Sequence, residues 1–111
     1  MKSDAVIIDF MLQKIARVRQ FTEGNRELFL NSALVQSAAL REMHLLTDVS
    51  KRLSDTAKHG MKEIAWHEIA GFRNYLVHEY HGDIDLEIVW QAIENDIGRL
   101  EMALKRYRET L

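Results

Sequence analysis

A chain of 111 residues has room for one hydrophobic core and not for two, so residues 1–111 read as a single domain. Its hydrophobic share of 47% and charged share of 29% exclude a disordered chain, and the absence of cysteine excludes a disulfide framework or a thiolate zinc site. A net charge of −2 excludes the broad positive excess of a general nucleic-acid binder and confines any such role to a local patch.

The opening stretch MKSDAVIIDFMLQK holds an apolar run broken by Asp9 and Gln13. It is too short for a signal peptide or a membrane span and points to a cytoplasmic protein with no membrane role. No proline occurs, and Gly24, Gly60 and Gly82 stand where helices should stop, with Gly71 and Gly98 inside helical patterns. The expected fold class is therefore all-α.

From Asp4 as N-cap, apolar residues at Ile8, Met11, Leu12, Ile15 and Val18 keep helical spacing up to Glu23-Gly24. A short helix around Arg26–Leu30 should follow. Asn31 or Ser32 then caps a long helix with the stripe Val35, Ala39, Met43, Leu46, Val49 and Leu53, expected to run to about Gly60. A helix from about Trp66 to Tyr80 precedes the break at HGD, residues 81–83. Asp83 or Asp85 caps the last helix, whose stripe is Leu86, Val89, Ile93, Ile97, Leu100, Leu104, Tyr107 and Leu111. Four to five such helices suit an antiparallel bundle. No repeat or linker interrupts them.

Within the fourth of these segments, RNYLVHEY (73–80) sets an arginine, a histidine and two tyrosines among apolar residues. On an ideal helix Ile69, Phe72 and Leu76 face the core, and Arg73 and Tyr80 sit at the edge of that stripe within about 20° of each other. Asn74 and His78 project from the far side. Arg73 and His78 are about 140° apart, so they can cooperate only through a distortion near the helix end or through a second copy of the helix across a twofold axis.

Histidine can move a proton near neutral pH, and arginine can grip a phosphate through parallel hydrogen bonds. Together they suit phosphodiester cleavage: the imidazole deprotonates a ribose 2′-hydroxyl or protonates the leaving oxygen, while the guanidinium stabilises charge on the phosphate. The same two residue types within a turn or two of each other are also what an ordinary solvated helix surface offers.

Three linked segments decide between those readings: SKRLSD at 50–55, AWHEIAGFRNYLVHEY at 65–80 and DLEIVWQAIENDI at 85–97. With the spacing Arg73, four residues, His78, one residue, Tyr80, and Asn74 directly after the arginine, the chain from about Leu30 to Leu104 resembles the HEPN superfamily. Within it, the HepT-like toxins of type II toxin–antitoxin pairs are the similar group. The resemblance implies a compact helical bundle that forms a homodimer, with both motif copies in one cleft acting as a metal-independent ribonuclease on RNA and needing no cofactor. It further implies Arg73 and His78 as catalytic, Asn74 as auxiliary, and a minimal nucleotidyltransferase antitoxin as partner, which silences the toxin by transferring AMP to Tyr80. An adenylate there adds bulk and negative charge beside a phosphate site.

The chain departs from the family pattern at three places. Ala65 stands where proline is common before the tryptophan, the HGDID turn is one residue longer, and His44 replaces one of two frequently acidic residues, the other being kept by Asp48. A noncatalytic helical partner of a nucleotidyltransferase is the competing reading.

His78 and His81 invite a metal site, but two histidines without an HExxH pattern do not make one. Lys51, Arg52, Lys58 and Lys62 form the densest basic stretch and, like Lys105, Arg106 and Arg108, fit a solvated helix end as well as an RNA track. Trp66 and Trp90 are expected to be packing anchors, Tyr107 to be core or interface, and Tyr75 to face away from the core on the dimer surface or cleft rim.

Overall fold

Capping chemistry divides the chain, and in most places it does so with the residues the sequence offers. The computed structural model describes residues 3–79 and 82–111. Helix α1 (Asp4–Thr22) is capped by Ser3, whose hydroxyl accepts from the Val6 N–H at 3.3 Å. Asp4 is thus the first-turn acid and not the cap. The helix stops at Glu23 and Gly24, both left-handed at φ 53° and 63°. Asn25 caps α2 (Arg26–Asn31) through the Leu28 N–H, and Ser32 caps α3 (Ala33–Val49) through the Val35 N–H.

The single long helix expected to reach Gly60 is broken. The Ser50 hydroxyl donates back to the Thr47 carbonyl at 2.7 Å, a 3₁₀ turn covers Ser50–Arg52, and Leu53 is extended with ψ 142°. Ser54 then starts a separate α4 (Asp55–Gly60), accepting from the Ala57 N–H. Its own N–H and hydroxyl donate to the two Asp4 carboxylate oxygens at 2.9 and 2.6 Å. Leu53 is still only 4% exposed, so the apolar stripe that suggested one helix is satisfied by an extended residue.

Helix α5 (Trp66–His78) follows a turn and has no side-chain cap. Asp85 settles the choice at the next start, accepting from the Glu87 N–H at 2.9 Å to open α6 (Leu86–Gln91). A π-helical turn, Ala92–Asp96, leads into α7 (Ile97–Arg108). Its i→i+5 bonding widens the helix, so Val89, Ile93 and Ile97, each four residues apart, all stay buried. The expected stripe ends early: Leu111 lies beyond the helix and is 54% exposed. Among the described residues there is no strand.

Helices α1 and α3 run antiparallel, with Asp4 at Ser54 and Lys14 at Glu42; α7 runs antiparallel to α1, with Arg108 on Asp9 and Arg19 on Glu101. Ile8, Met11, Ile15 and Val18 of α1 meet Leu46 of α3 and Leu100 and Leu104 of α7 in the core, and Phe29 and Trp90 close one side with ring centroids 5.6 Å apart. Trp90 is thus the expected anchor; Trp66 is half-buried and donates to the Lys58 carbonyl at 3.3 Å. Gly60 has no room for a side chain, because a Cβ there would lie 2.3 Å from the Tyr107 ring. Two cations of the last helix cross to other elements, Arg106 donating to Glu63 and to the Gly60 carbonyl and Arg108 to Asp9.

One charged cluster lies inside this packing. Lys14 Nζ and Arg17 Nη1 each lie 3.5 Å from Glu42 Oε1, and the Lys14 and Glu42 side chains are only 7% and 2% exposed. The Lys14 ammonium also sits 4.8 Å from the centre of the Phe10 ring, a cation–π distance. Glu42 Oε2 accepts no hydrogen bond from the described residues; Arg41 Nη1 is 3.9 Å away.

Candidate functional site

The motif helix is the least buried of the long elements. Of its 13 residues only Leu76 is fully buried, whereas α1 buries seven side chains. Ile69 and Phe72 are half-buried against the core, as the periodicity predicts, and Phe72 lies 6.3 Å from the Tyr75 ring. Tyr75 does not stand free on a rim: its hydroxyl accepts from the Asp85 N–H at 2.7 Å and ties α5 to the start of α6.

Arg73 lies at the seam between α3 and α5, where its side chain is 27% exposed. Its Nε–H donates to Asp48 Oδ1 at 3.1 Å and its Nη1 donates to Asn74 Oδ1 at 3.3 Å. Lys51 Nζ reaches the same Asp48 oxygen at 3.2 Å, so one carboxylate holds two cations. The hydrogen bond from Lys51 is the chief influence holding the Asp48 carboxyl below the ordinary carboxylate range; the charges of Lys51 and Arg73 and the Arg73 bond add to it, and burial opposes them. With Nε–H on Asp48 and one Nη1 proton on Asn74, the guanidinium keeps its remaining N–H groups for a further acceptor.

Asn74 and His78 are exposed on the other side of the helix, as expected. Helix α5 is regular α-helix through His78, and the Glu79 N–H still bonds to the Tyr75 carbonyl at 3.0 Å. The distortion that would swing His78 toward Arg73 within one chain is therefore not present, and the structure brings together Arg73, Asn74 and Asp48 but leaves His78 apart. Tyr80 and His81 lie outside the described residues. Among the described residues no three His, Asp or Glu side chains gather in a metal-holding group, and no helix is long and apolar enough to cross a membrane.

A groove of about 340 Å³ runs between α3, α5 and the last helix, lined chiefly by Met43, Leu46, Ile69, Phe72, Ile97 and Leu100. None of Arg73, Asn74 or His78 lines it. The site is instead an open polar face anchored from behind by Asp48. The spacing of the motif exposed Arg73, Asn74 and His78 to sequence reasoning. The Asp48 anchor comes from a helix 25 residues earlier, and its signal in the sequence is a carboxylate four residues after His44 on the outward face of α3.

Comparison with known proteins places this geometry in context. A family profile described as "Ribonuclease HepT-like" matches residues 11–107. The chain is 28% identical over 103 residues to "Probable ribonuclease HepT" of Thermococcus cleftensis, covering 92% of this chain and 93% of that protein. It is 27% identical over 106 residues to a "Putative RNase" of Caldanaerobacter subterraneus, covering 95% and 94%. A Methanocaldococcus jannaschii protein with the name "Gamma-glutamylcyclotransferase and putative RNase" is 26% identical over 111 residues; the match takes in 99% of this chain but only 50% of that longer protein. No solved structure matches the chain significantly.

Proposed function

The chain belongs to the HepT-like ribonuclease family, and from that premise we propose that it is the toxin of a toxin–antitoxin pair, cutting RNA without a metal in a cleft made by two copies. The observation that carries this reading is the anchoring of Arg73. A guanidinium held by Asp48 through Nε is fixed in place yet keeps donors for a phosphate. Such pre-set positive charge is what stabilises the phosphorane-like transition state when a ribose 2′-hydroxyl attacks the adjacent phosphate. His78 moves the proton, as base toward the 2′-hydroxyl or as acid toward the leaving 5′-oxygen. Asn74, in contact with Arg73, helps to orient the phosphate.

The regularity of α5 supports the dimer. Arg73 and His78 diverge by about 140° on a straight helix, so a full set of groups around one phosphate calls for the arginine of one copy and the histidine of another. The antitoxin in this reading is a minimal nucleotidyltransferase that adds AMP to Tyr80, two residues beyond His78. The added phosphate would compete with RNA by bulk and by charge repulsion. Incubation with ATP, magnesium and that partner should add mass to the wild type but not to Tyr80→Phe; equal addition to both would move the acceptor elsewhere.

The decisive experiment is an RNA-cleavage assay of wild type against His78→Ala, with the product ends analysed. Wild type should leave 2′,3′-cyclic phosphate, and His78→Ala should lose cleavage by at least about 10²-fold with helical content and assembly mass unchanged. Cleavage retained by pure His78→Ala protein would sink the assignment.

A further inference from the structure

Helix α5 carries a glycine that nothing among the described residues requires. Gly71 is helical and exposed, and a Cβ built on it meets no atom within 4 Å. In a helix interior glycine weakens the element more than any residue except proline. Gly60 is explained by the Tyr107 ring against it and Gly24 by its left-handed turn, but Gly71 has neither reason.

What surrounds it is chemically consistent. His67, Gly71, Asn74 and His78 fall within about 60° of one another around the helix axis and form one exposed stripe about 16 Å long. The stripe has two imidazoles, one amide and no aliphatic side chain. Val77, 38% exposed, lies on the flank beside Arg73, and the nearest acids on α5, Glu68 and Glu79, lie on the opposite flank. Because Asn74 Oδ1 already accepts from Arg73 Nη1, the amide presents its NH₂ to the face. The stripe is therefore rich in donors, and the Arg73 flank is reinforced by Lys51 across the seam.

We propose that Gly71 is a close-approach point for the ribose–phosphate backbone of single-stranded RNA, left bare so that the strand can lie against the α5 backbone between His67 and His78. This rests on the ribonuclease reading and deepens it: it assigns the track along which the strand reaches Arg73 and His78, and makes His67 a binding residue of that track. A second helix packed at Gly71 would need free apolar side chains around the glycine to interlock with; the stripe has none, and the adjacent Tyr75 is engaged with Phe72 through its ring and with Asp85 through its hydroxyl. An acceptor-rich, hydrated strand matches its donors.

The test pairs two glycines. Gly98, inside α7, has room for a Cβ, which would meet only Arg19 Nη2 at 3.8 Å. Gly71→Ala and Gly98→Ala should both raise the thermal midpoint, each by about 4 °C. Only Gly71→Ala should raise KM for a labelled single-stranded RNA oligonucleotide, by about fivefold, and Gly71→Gln by more than about tenfold, with kcat changed far less. Assembly mass by sedimentation should stay the same in all variants.

An unchanged KM in Gly71→Gln, with its helical content intact, overturns the proposal. A raised KM accompanied by a changed assembly mass overturns it too, and gives the face to a second copy of the chain. If wild type and His78→Ala alike fail to cut RNA, the ribonuclease reading falls and the proposal with it; if wild type cuts and the Gly71 variants cut equally well, only the proposal falls.

Discussion

Helix α3 carries two carboxylates six residues apart, Glu42 and Asp48, and each gathers more than one cation, three at Glu42 and two at Asp48, yet they sit in opposite settings. Glu42 is turned inward to α1, 2% exposed, between Lys14 and Arg17. Asp48 is turned outward to α5, 36% exposed, between Lys51 and Arg73. Removing a charge from water is expensive, so the inward cluster ties its members to one another and has nothing left to give a substrate. The outward one stays wet enough to let Arg73 meet a ligand while fixing where it points. The same chemistry thus serves architecture on one face of a helix and, in the proposed function, a site on the other, and solvent access makes the difference.

Breaking the inward cluster should give the largest effect. Lys14→Ala leaves a buried carboxylate without its buried partner and with only the half-exposed Arg17 at the same distance, and urea denaturation should show a loss of up to about 3–5 kcal/mol. Replacing both partners, Lys14→Met with Glu42→Leu, removes the penalty with the charges and should return stability to the wild-type value or above it, with RNA cleavage unchanged. If the double variant were as unstable as the single one, Glu42 would have to matter for something other than its ion pair.

The outward cluster should respond in the other quantity. Arg73→Lys keeps the charge but loses the planar fork that divides itself between Asp48 and a phosphate. Cleavage should fall by about 10²-fold, while stability should move by less than about 1 kcal/mol because the pair is partly solvated. A large loss of stability would place Arg73 with Lys14, as architecture.

The smallest effect is that of pH on Asp48. Its folded-state value is depressed, so the pair's contribution is fully present above the unfolded carboxylate value of about 3.9 and is lost as pH falls through the lower folded value. Between pH 7 and pH 5 the Nε resonance of Arg73 should therefore hold still, and it should move only below about pH 4. With Asp48 a third exposed, the stability at stake is well under about 1 kcal/mol. Movement at pH 6 would mean that another group holds the arginine.

Most helix starts were legible because capping is local. Ser32 and Asp85 each stand among two candidates picked out by side-chain type and by the apolar spacing that follows, and the short helix at Arg26 is placed without its Asn25 cap. Ser3 displaced Asp4 by one position, because the carboxylate is drawn away to Ser54, fifty residues distant. That same contact hid the break after Val49: the stripe through Leu53 reads as continuous, and only tertiary structure shows it jumping from helix to extended chain. Tyr75 was misread because its periodicity is right while its hydroxyl has a partner on the next element. Lys14 and Glu42 had a signal that went unused: both lie on the apolar faces of neighbouring helices, where two opposite charges are tolerable only as a pair. For the site, the motif exposed Arg73, Asn74 and His78, and the family resemblance marked Asp48 as a frequently acidic position, whereas its contact with Arg73 is long-range and only the structure shows it.

The clasp between Asp4 and Ser54 also sets an order of events. Ser54 bonds the carboxylate at the start of α1 and the first turn of α4 at once, and the first of these closes a loop of about fifty residues. That closure is affordable only after α1 and α3 have already zipped into a hairpin. Docking of α4 on that pair is thus the costlier step, and α5 beyond it buries one of its 13 side chains against seven in α1, so native-state hydrogen exchange should find the amides of α5 opening at lower free energy than those of α1. The helix that carries Arg73 and His78 is thereby the long element held least firmly from within, and whatever binds across it will stiffen it most.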